Sequence, residues 1–370
     1  MTQLSSLAQQ LRVIQQQDHV IGGVSTVNRG YVPSFLFEER EAADIDSASI
    51  LAIGRQGLEE LKALDPVFSK FEASLFGERT IDLHRSQISQ AQNDQLDANI
   101  RSFLRVLSPF FMTKAAHKAL EWLVRKFRIQ ELNLDALMEC ILPYHETVQF
   151  TRMVQIVFFK DESRWSFLHA VKKEAHSVSR SFLAKRCIAD RTIIDSVFTT
   201  VEWMLQKHRD NGYRKPTTYL SFFTMLVLDY LQTLAKVELS HVLQLYPMAL
   251  RFAKLKRVPE ALQASFLIIM QLAQRYPILS ADSVNQFFDF ACRGCSEAQV
   301  PQLVLTLARV VDLCWASVTE LDMKVVNHLV KLPGFSVVSR NLIEEHGFAH
   351  FPIVLEKSLR VYERSFSGDA

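Results

Sequence analysis

Glycine is scarce: eleven residues in 370, or about 3%, against a usual level near 7%. Phosphate-cradling glycine loops and tight two-residue hairpins both consume glycine. A doubly wound nucleotide-binding fold and an all-β fold are therefore disfavoured. Cysteine is also sparse and odd in number, five in the whole chain, which does not suit a disulfide framework. Long apolar runs are missing too. The best stretches, 220–228 and 266–270, are short and interrupted by polar residues, far below the roughly 18 continuous apolar residues that a membrane span needs. The opening Met-Thr-Gln-Leu-Ser-Ser has no basic region followed by an apolar run, so no secretory leader is read there. The expectation is a soluble, intracellular, reduced protein.

What is present is a globular balance, 48% apolar and 22% charged. A chain of this length exceeds a single core, which stops growing near about 250–300 residues, so two domains or an extended array are expected. The first thirty-odd residues (1–34) divide into a short amphipathic helix, with Leu4, Leu7, Leu11 and Ile14 at helical spacing, and a flexible loop holding Gly22, Gly23, Gly30 and Pro33. From about residue 47 the period is helical almost everywhere. Leu96, Ile100, Phe103, Leu104 and Leu107 form one apolar stripe. Beyond Pro109, Ala116, Leu120, Leu123, Val124 and Phe127 form the next. Further helices are predicted to start near Asn133, Ile193, Pro216, Ser240, Pro259, Ser280, Pro301, Thr319 and Phe335. Prolines 143, 247, 259, 277, 301, 333 and 352 fall near their expected ends.

A helical pair then occupies about 40 residues, the period of HEAT and armadillo arrays. Residues 220–234 are apolar almost all round, as befits a helix sandwiched between neighbours. The fold expected for 35–370 is an all-α solenoid of HEAT/armadillo-like antiparallel helix pairs, with a globular helical bundle as the alternative.

Catalytic motifs are absent. There is no Walker loop, no dinucleotide fingerprint, no Gly-x-Ser-x-Gly elbow and no His-Glu-x-x-His. Cys292-Arg-Gly-Cys295 is a lone pair; the nearest later histidines, His346 and His350, stand some fifty residues on, so a zinc site lacks a convincing ligand set. Tyr144-His145-Glu146 follows Pro143 and reads as a turn whose His and Glu cap a helix. His117, at the edge of a stripe, reads as a packed or surface histidine. No enzymatic activity, cofactor or metal is expected.

Charge supplies the remaining signal. Residues 1–100 hold 8 Lys and Arg against 14 Asp and Glu, 101–270 hold 25 against 15, and 271–370 hold 9 against 11. The middle is basic by +10, between acidic ends. Lys114, Lys118 and Arg125 line the face opposite a core stripe, flanked by Trp122, with Glu121 among them. Lys172, Lys173, Arg180, Lys185, Arg186 and Arg191 fall within twenty residues. Lys207, Arg209, Arg214 and Lys215 follow, then Arg251, Lys254, Lys256 and Arg257. Such clusters could track a phosphate backbone, dock an acidic protein or simply solvate the surface.

A more specific pattern runs through the first 155 residues. Ser6-Leu7-Ala8-Gln9-Gln10-Leu11 precedes Ala42-Ala43-Asp44-Ile45-Asp46. Ile53-Gly54 and Gly57-Leu58-Glu59-Glu60-Leu61 come next, then Asp65-Pro66 with Phe68, and Phe71-Glu72 with Leu75-Phe76. Further on stand Leu120-Glu121-Trp122-Leu123-Val124-Arg125-Lys126-Phe127-Arg128-Ile129 and Leu142-Pro143-Tyr144-His145-Glu146-Thr147. In order and spacing this resembles the N-terminal region of the HEAT-repeat-containing protein 1 family, the U3 small nucleolar RNA-associated protein 10 of fungi. Members are far longer, so the chain looks like an N-terminal portion. The resemblance implies a non-enzymatic nucleolar scaffold of the small-subunit processome, acting in pre-18S rRNA processing and, in several lineages, in RNA polymerase I transcription. It implies β-propeller proteins of the early subcomplex and the pre-rRNA or U3 ribonucleoprotein as partners. A general protein–protein adaptor unrelated to ribosome assembly is the alternative. Within the Trp122 segment, packing is expected for Leu120, Leu123 and Phe127, while Arg125 and Lys126 stay open between RNA and packing.

Overall fold

A computed structural model describes residues 32–367. The short N-terminal helix expected around residues 4–14, and the glycine-containing loop up to residue 31, lie outside the described residues. Among the described residues the chain is helical and has no strand.

The first part comprises α1 (Glu39–Asp44), α2 (Ser47–Leu64), α3 (Glu72–Leu75), α4 (Gln90–Leu107), α5 (Lys114–Phe127), α6 (Ile129–Leu132), α7 (Leu134–Ile141) and α8 (Val148–Ile156). Their starts are chemically marked. Asp46, Ser89, Thr113 and Thr147 each accept a hydrogen bond from a first-turn backbone N–H. Each cap satisfies a donor that the helix cannot pair internally, worth about 1 kcal/mol. Helix α2 lies flat against α5 because Gly54 faces Trp122 and Gly57 faces the α5 backbone at Ala115 and Ala119. No larger residue would let the two backbones come so close.

The second part comprises α9 (His169–Glu174), α10 (Arg180–Ala189), α11 (Thr192–Asn211), α12 (Thr217–Thr233), α13 (Leu239–Lys254), α14 (Pro259–Arg275), α15 (Ala281–Gly294), α16 (Val300–Leu313), α17 (Met323–Val330), α18 (Phe335–His346) and α19 (Phe351–Ser367). From α10 onward the packing alternates. Helices α10, α12, α14, α16 and α18 stack in one layer, and α13, α15, α17 and α19 stack in the other. This is the α-solenoid of HEAT-like pairs that the 40-residue period predicts. Helix α12 touches α10, α11 and α14, which is why its sequence is apolar nearly all round.

Three departures from the sequence reading have local causes. Residues 65–89 and 157–179 are largely 3₁₀ turns and connections rather than regular α-helix. The first of these segments packs by aromatic edges, Phe68, Phe71 and Phe76 all meeting Phe103. Pro247 lies inside α13 rather than near its end. It sits on the exposed face, where the carbonyl that it leaves unpaired can turn to water. The predicted helix start at Thr319 moves to Met323, because residues 314–318 first close a turn in which Ser317 and Val318 donate to the Cys314 carbonyl.

Candidate interaction surface

Helix α5 was expected to turn one basic face to solvent; it is instead enclosed on almost every side. Trp122, read as flanking a surface stripe, is buried, and its indole Nε1 donates to the Leu75 carbonyl at 2.7 Å. Glu121 is completely buried. Its carboxylate accepts from Ser34 Oγ at 2.8 Å and from the backbone N–H groups of Phe35 and Leu36 at 2.7 and 3.0 Å. Those three donors fasten the incoming chain to α5, and Arg125 stands 3.8 Å from the same carboxylate. A buried carboxylate is tolerated only when its lone pairs are met in this way.

The cations of this helix follow suit. Lys118 pairs with Glu60 at 2.7 Å, and Arg125 donates to the Ile45 carbonyl at 3.2 Å. Lys126 donates to the Ile81 carbonyl at 2.6 Å. Lys114 alone of the predicted stripe is exposed, with no ion pair among the described residues.

The second cluster divides the same way. Arg180 pairs with Asp229 at 2.5 Å, and the Arg186 guanidinium lies 4.8 Å from the Phe167 ring centroid. Lys172 donates to the Val157 carbonyl at 2.7 Å. Burial lowers its pKa with no carboxylate beside it to compensate. Lys173 and Lys185 are exposed and make no ion pair among the described residues. Further along, Arg251 pairs with Glu202, Lys215 with Glu260 and Arg209 with Asp210, while Arg214 and Lys254 sit over the rings of Phe110 and Phe290. Most of the basic middle is therefore consumed within the fold.

Two of the predicted residues from different clusters do converge. Arg125 and Lys172 line one cavity of about 410 Å³, together with Arg128, Gln130, Glu131 and Phe158. Sequence reading missed the last four. Arg128 carried a visible trace, since it ends the Trp122 segment, but nothing in the sequence linked it to Phe158.

The acid–base candidates resolve into structure. His145 is buried, its Nδ1 donating to the Val178 carbonyl at 2.5 Å while its own carbonyl accepts from Val178 N–H at 3.0 Å. Thr147, not His145 or Glu146, caps α8: its short hydroxyl sits at the first turn, whereas Glu146 points to solvent. His117 is half-buried edge-on to Phe35 and Phe111, and burial there lowers its pKa. Cys292 is buried and burial pushes Cys295 up to about 11. His350 stacks on Trp315 instead of approaching them. Among the described residues no group of three His, Cys, Asp or Glu could hold a metal ion.

A buried polar centre that the sequence gave no sign of joins the two parts. Glu139 of α7 accepts from Ser196 Oγ at 2.7 Å and Thr200 Oγ1 at 2.9 Å on α11, and from Arg105 of α4 at 3.4 Å.

No protein-family model matches the chain. Individual proteins do. The chain is 34% identical over 275 residues to HEAT repeat-containing protein 1 of Homo sapiens, spanning 73% of this chain and 12% of that protein. It is 32% identical over 308 residues to HEAT repeat-containing protein 1 of Danio rerio, 81% of this chain and 14% of the relative. The U3 small nucleolar RNA-associated protein 10 of Yarrowia lipolytica is 30% identical over 276 residues, 72% of this chain and 16% of that protein. The chain thus corresponds to a small part of much longer relatives. Identity at this level across animals and fungi, carried on an array of paired helices, means that the chain belongs to the family of HEAT repeat-containing protein 1 and U3 small nucleolar RNA-associated protein 10.

Proposed function

We propose that the chain is part of a non-enzymatic scaffold of ribosome biogenesis, a component of the small-subunit processome that acts in pre-18S rRNA processing and supports RNA polymerase I transcription. The observation that carries this is the alignment of most of the chain with proteins named for association with U3 small nucleolar RNA. The architecture supports it. Stacked helix pairs offer long surfaces for several partners at once, and the buried His and Cys are tied into packing rather than poised for chemistry. The partners proposed are β-propeller proteins of the early subcomplex and the U3 ribonucleoprotein with its pre-rRNA, and the place of action is the nucleolus within the nucleus.

Direct contact is proposed for the cations that keep their charge available. These are Lys114, Lys173 and Lys185 on the exposed surface, and Lys172 at the cavity. Lys118, Arg180 and Arg186 serve mainly to hold helices together.

Affinity purification of the tagged chain from nuclear extract tests the assignment. Recovery of U3 ribonucleoprotein and processome propeller proteins is expected, and depletion of the full-length protein should lower 18S rRNA relative to 28S rRNA. Normal 18S production after complete depletion would overturn the reading.

A further inference from the structure

The cavity between α5, α6, α8 and α9 holds polar groups whose needs are unmet. Gln130 is only 4% exposed, and its side-chain Oε1 has no hydrogen-bond partner among the described residues. Lys172 bonds only to a neutral carbonyl oxygen, so it brings an unpaired charge to the cavity wall; Arg125 stands 3.8 Å from the Glu121 carboxylate, and Arg128 is balanced locally by Glu131. Phe158, beside Gln130, exposes 39% of its surface. It is held in place by its own N–H, which donates to the Gln130 carbonyl at 3.3 Å. Lys172 grips the preceding carbonyl, that of Val157. Residues 157–158 are thus pinned between Gln130 and Lys172.

A buried polar atom without a partner is costly, and in a native structure it calls for an explanation. Here one ligand would serve Gln130 and Lys172 together. Lys172 wants an anion. Gln130 Oε1 wants a donor, which a bare carboxylate or phosphate cannot supply. Phe158 offers a ring face to a flat apolar partner.

The geometry points to this cavity as a binding site for one nucleotide of single-stranded RNA, its phosphate on Lys172, its base against Phe158 and a base or ribose donor on Gln130. The volume falls within the range of small-ligand pockets. Aromatic stacking with amide readout of an unpaired base is the ordinary way proteins take single-stranded RNA. The inference rests on the RNA-contact part of the proposed function and narrows it to one site and one ligand class.

The test uses fluorescence anisotropy of the whole chain with labelled single-stranded oligoadenylate and oligouridylate, and adenosine and uridine monophosphates as competitors. Phe158→Ala and Lys172→Met are expected to weaken RNA binding about tenfold each, and ultraviolet crosslinking should place the adduct on the peptide containing Phe158. Gln130→Leu, similar in volume, should weaken binding further and change the preference between the two oligomers; circular dichroism confirms folding of each variant. Unchanged affinity in the Phe158 and Lys172 variants, with loss on charge reversal of Lys114, Lys173 and Lys185, would overturn the cavity site while leaving surface RNA contact standing. No RNA binding by the unaltered chain at low salt would overturn both RNA readings, and recovery of U3 ribonucleoprotein with the tagged chain would still test the scaffold role separately. Binding of an acidic peptide that depends on Gln130 and Phe158, in the absence of RNA binding, would assign the cavity to a protein partner and refute the nucleotide.

Discussion

Replacing Gly57 by alanine tests the packing of α2 on α5, and the sign of the effect is decided by the structure. A Cβ at this position would lie 2.6 Å from the Ala115 carbonyl oxygen, 2.7 Å from Lys118 Cβ and 2.8 Å from the Ala119 nitrogen. Ordinary contact starts near 3.4 Å, so the shortfall is about 0.6–0.8 Å. Two of the three atoms are α5 backbone and cannot rotate away. The helices must therefore part by most of that distance, and a gap of this size forfeits about a quarter to a half of each dispersion contact across it. Overpacking typically costs about 1–3 kcal/mol, and a clash against backbone belongs at the upper end. Alanine returns about 1 kcal/mol through its better helix propensity. The expected net loss is about 2 kcal/mol.

The assay is thermal and urea denaturation of the chain, with hydrogen exchange to locate the effect. Amides of α2 and α5 should exchange about thirtyfold faster, the equivalent of about 2 kcal/mol, while α13 to α19 stay unchanged. Gly294→Ala is the control. Its added Cβ would meet only the Ala253 carbonyl at 3.5 Å, so that variant should be as stable as the parent or slightly more so. Propensity alone predicts that both substitutions stabilise. A Gly57→Ala chain as stable as its parent would refute the close-packing argument.

Three further outcomes are expected. Glu121→Ala removes the acceptor for Ser34, Phe35 and Leu36 and should cost about 3 kcal/mol, read as loss of exchange protection at the Phe35 and Leu36 amides; retained protection there would contradict the fastening role. Burial pushes Cys295 up to about 11 and Cys187 to about 12, against about 8.5 for a free thiol. Labelling of the folded chain by a disulfide reagent should be slow at pH 8 and still rising through pH 10, where a free cysteine has levelled off; rapid reaction of all five thiols at pH 8 would contradict it. Reversing Lys114, Lys173 and Lys185 to Glu should leave stability within about 0.5 kcal/mol and lower the salt slope of RNA binding by up to about 2, at about 0.7 per single-strand phosphate contact; an unchanged slope would remove these lysines from the interface.

The solenoid was legible because its helices obey rules that act locally. Helices α11 to α16 begin within a residue of where periodicity, prolines and serines place them, and Pro259 and Pro301 sit in first turns that need no proline N–H. The all-round apolar character of α12 disclosed a helix with neighbours on three sides. Legibility failed where the backbone leaves the α-helical period. Residues 65–89 keep apolar spacing in the sequence, but their phenylalanines meet α4 from 3₁₀ turns. Pro247 looked like a terminus only because the sequence does not say which side of α13 faces water.

The site was harder to read for a different reason. Calling a cation exposed because it lies opposite an apolar stripe assumes that a helix has one buried side. Helix α5 breaks that assumption. Its partners for Lys118, Arg125 and Glu121 come from Glu60, Ile45 and Ser34, which stand 58, 80 and 87 positions away in the chain, beyond the reach of any periodicity. The sequence did hold a warning. Ala115, Ala116 and Ala119 continue the apolar surface round to Trp122, leaving little of the circumference for water. A glutamate in such a helix is better read as an anchor for backbone donors than as one more surface charge. By the same logic, the useful buried cation is the one that the fold leaves without a carboxylate among the described residues: Lys172, desolvated and bonded only to a carbonyl. Charge density along the sequence marks a basic stretch of chain, but only the pairing of each charge in three dimensions separates the residues that hold the array together from those that can hold something else.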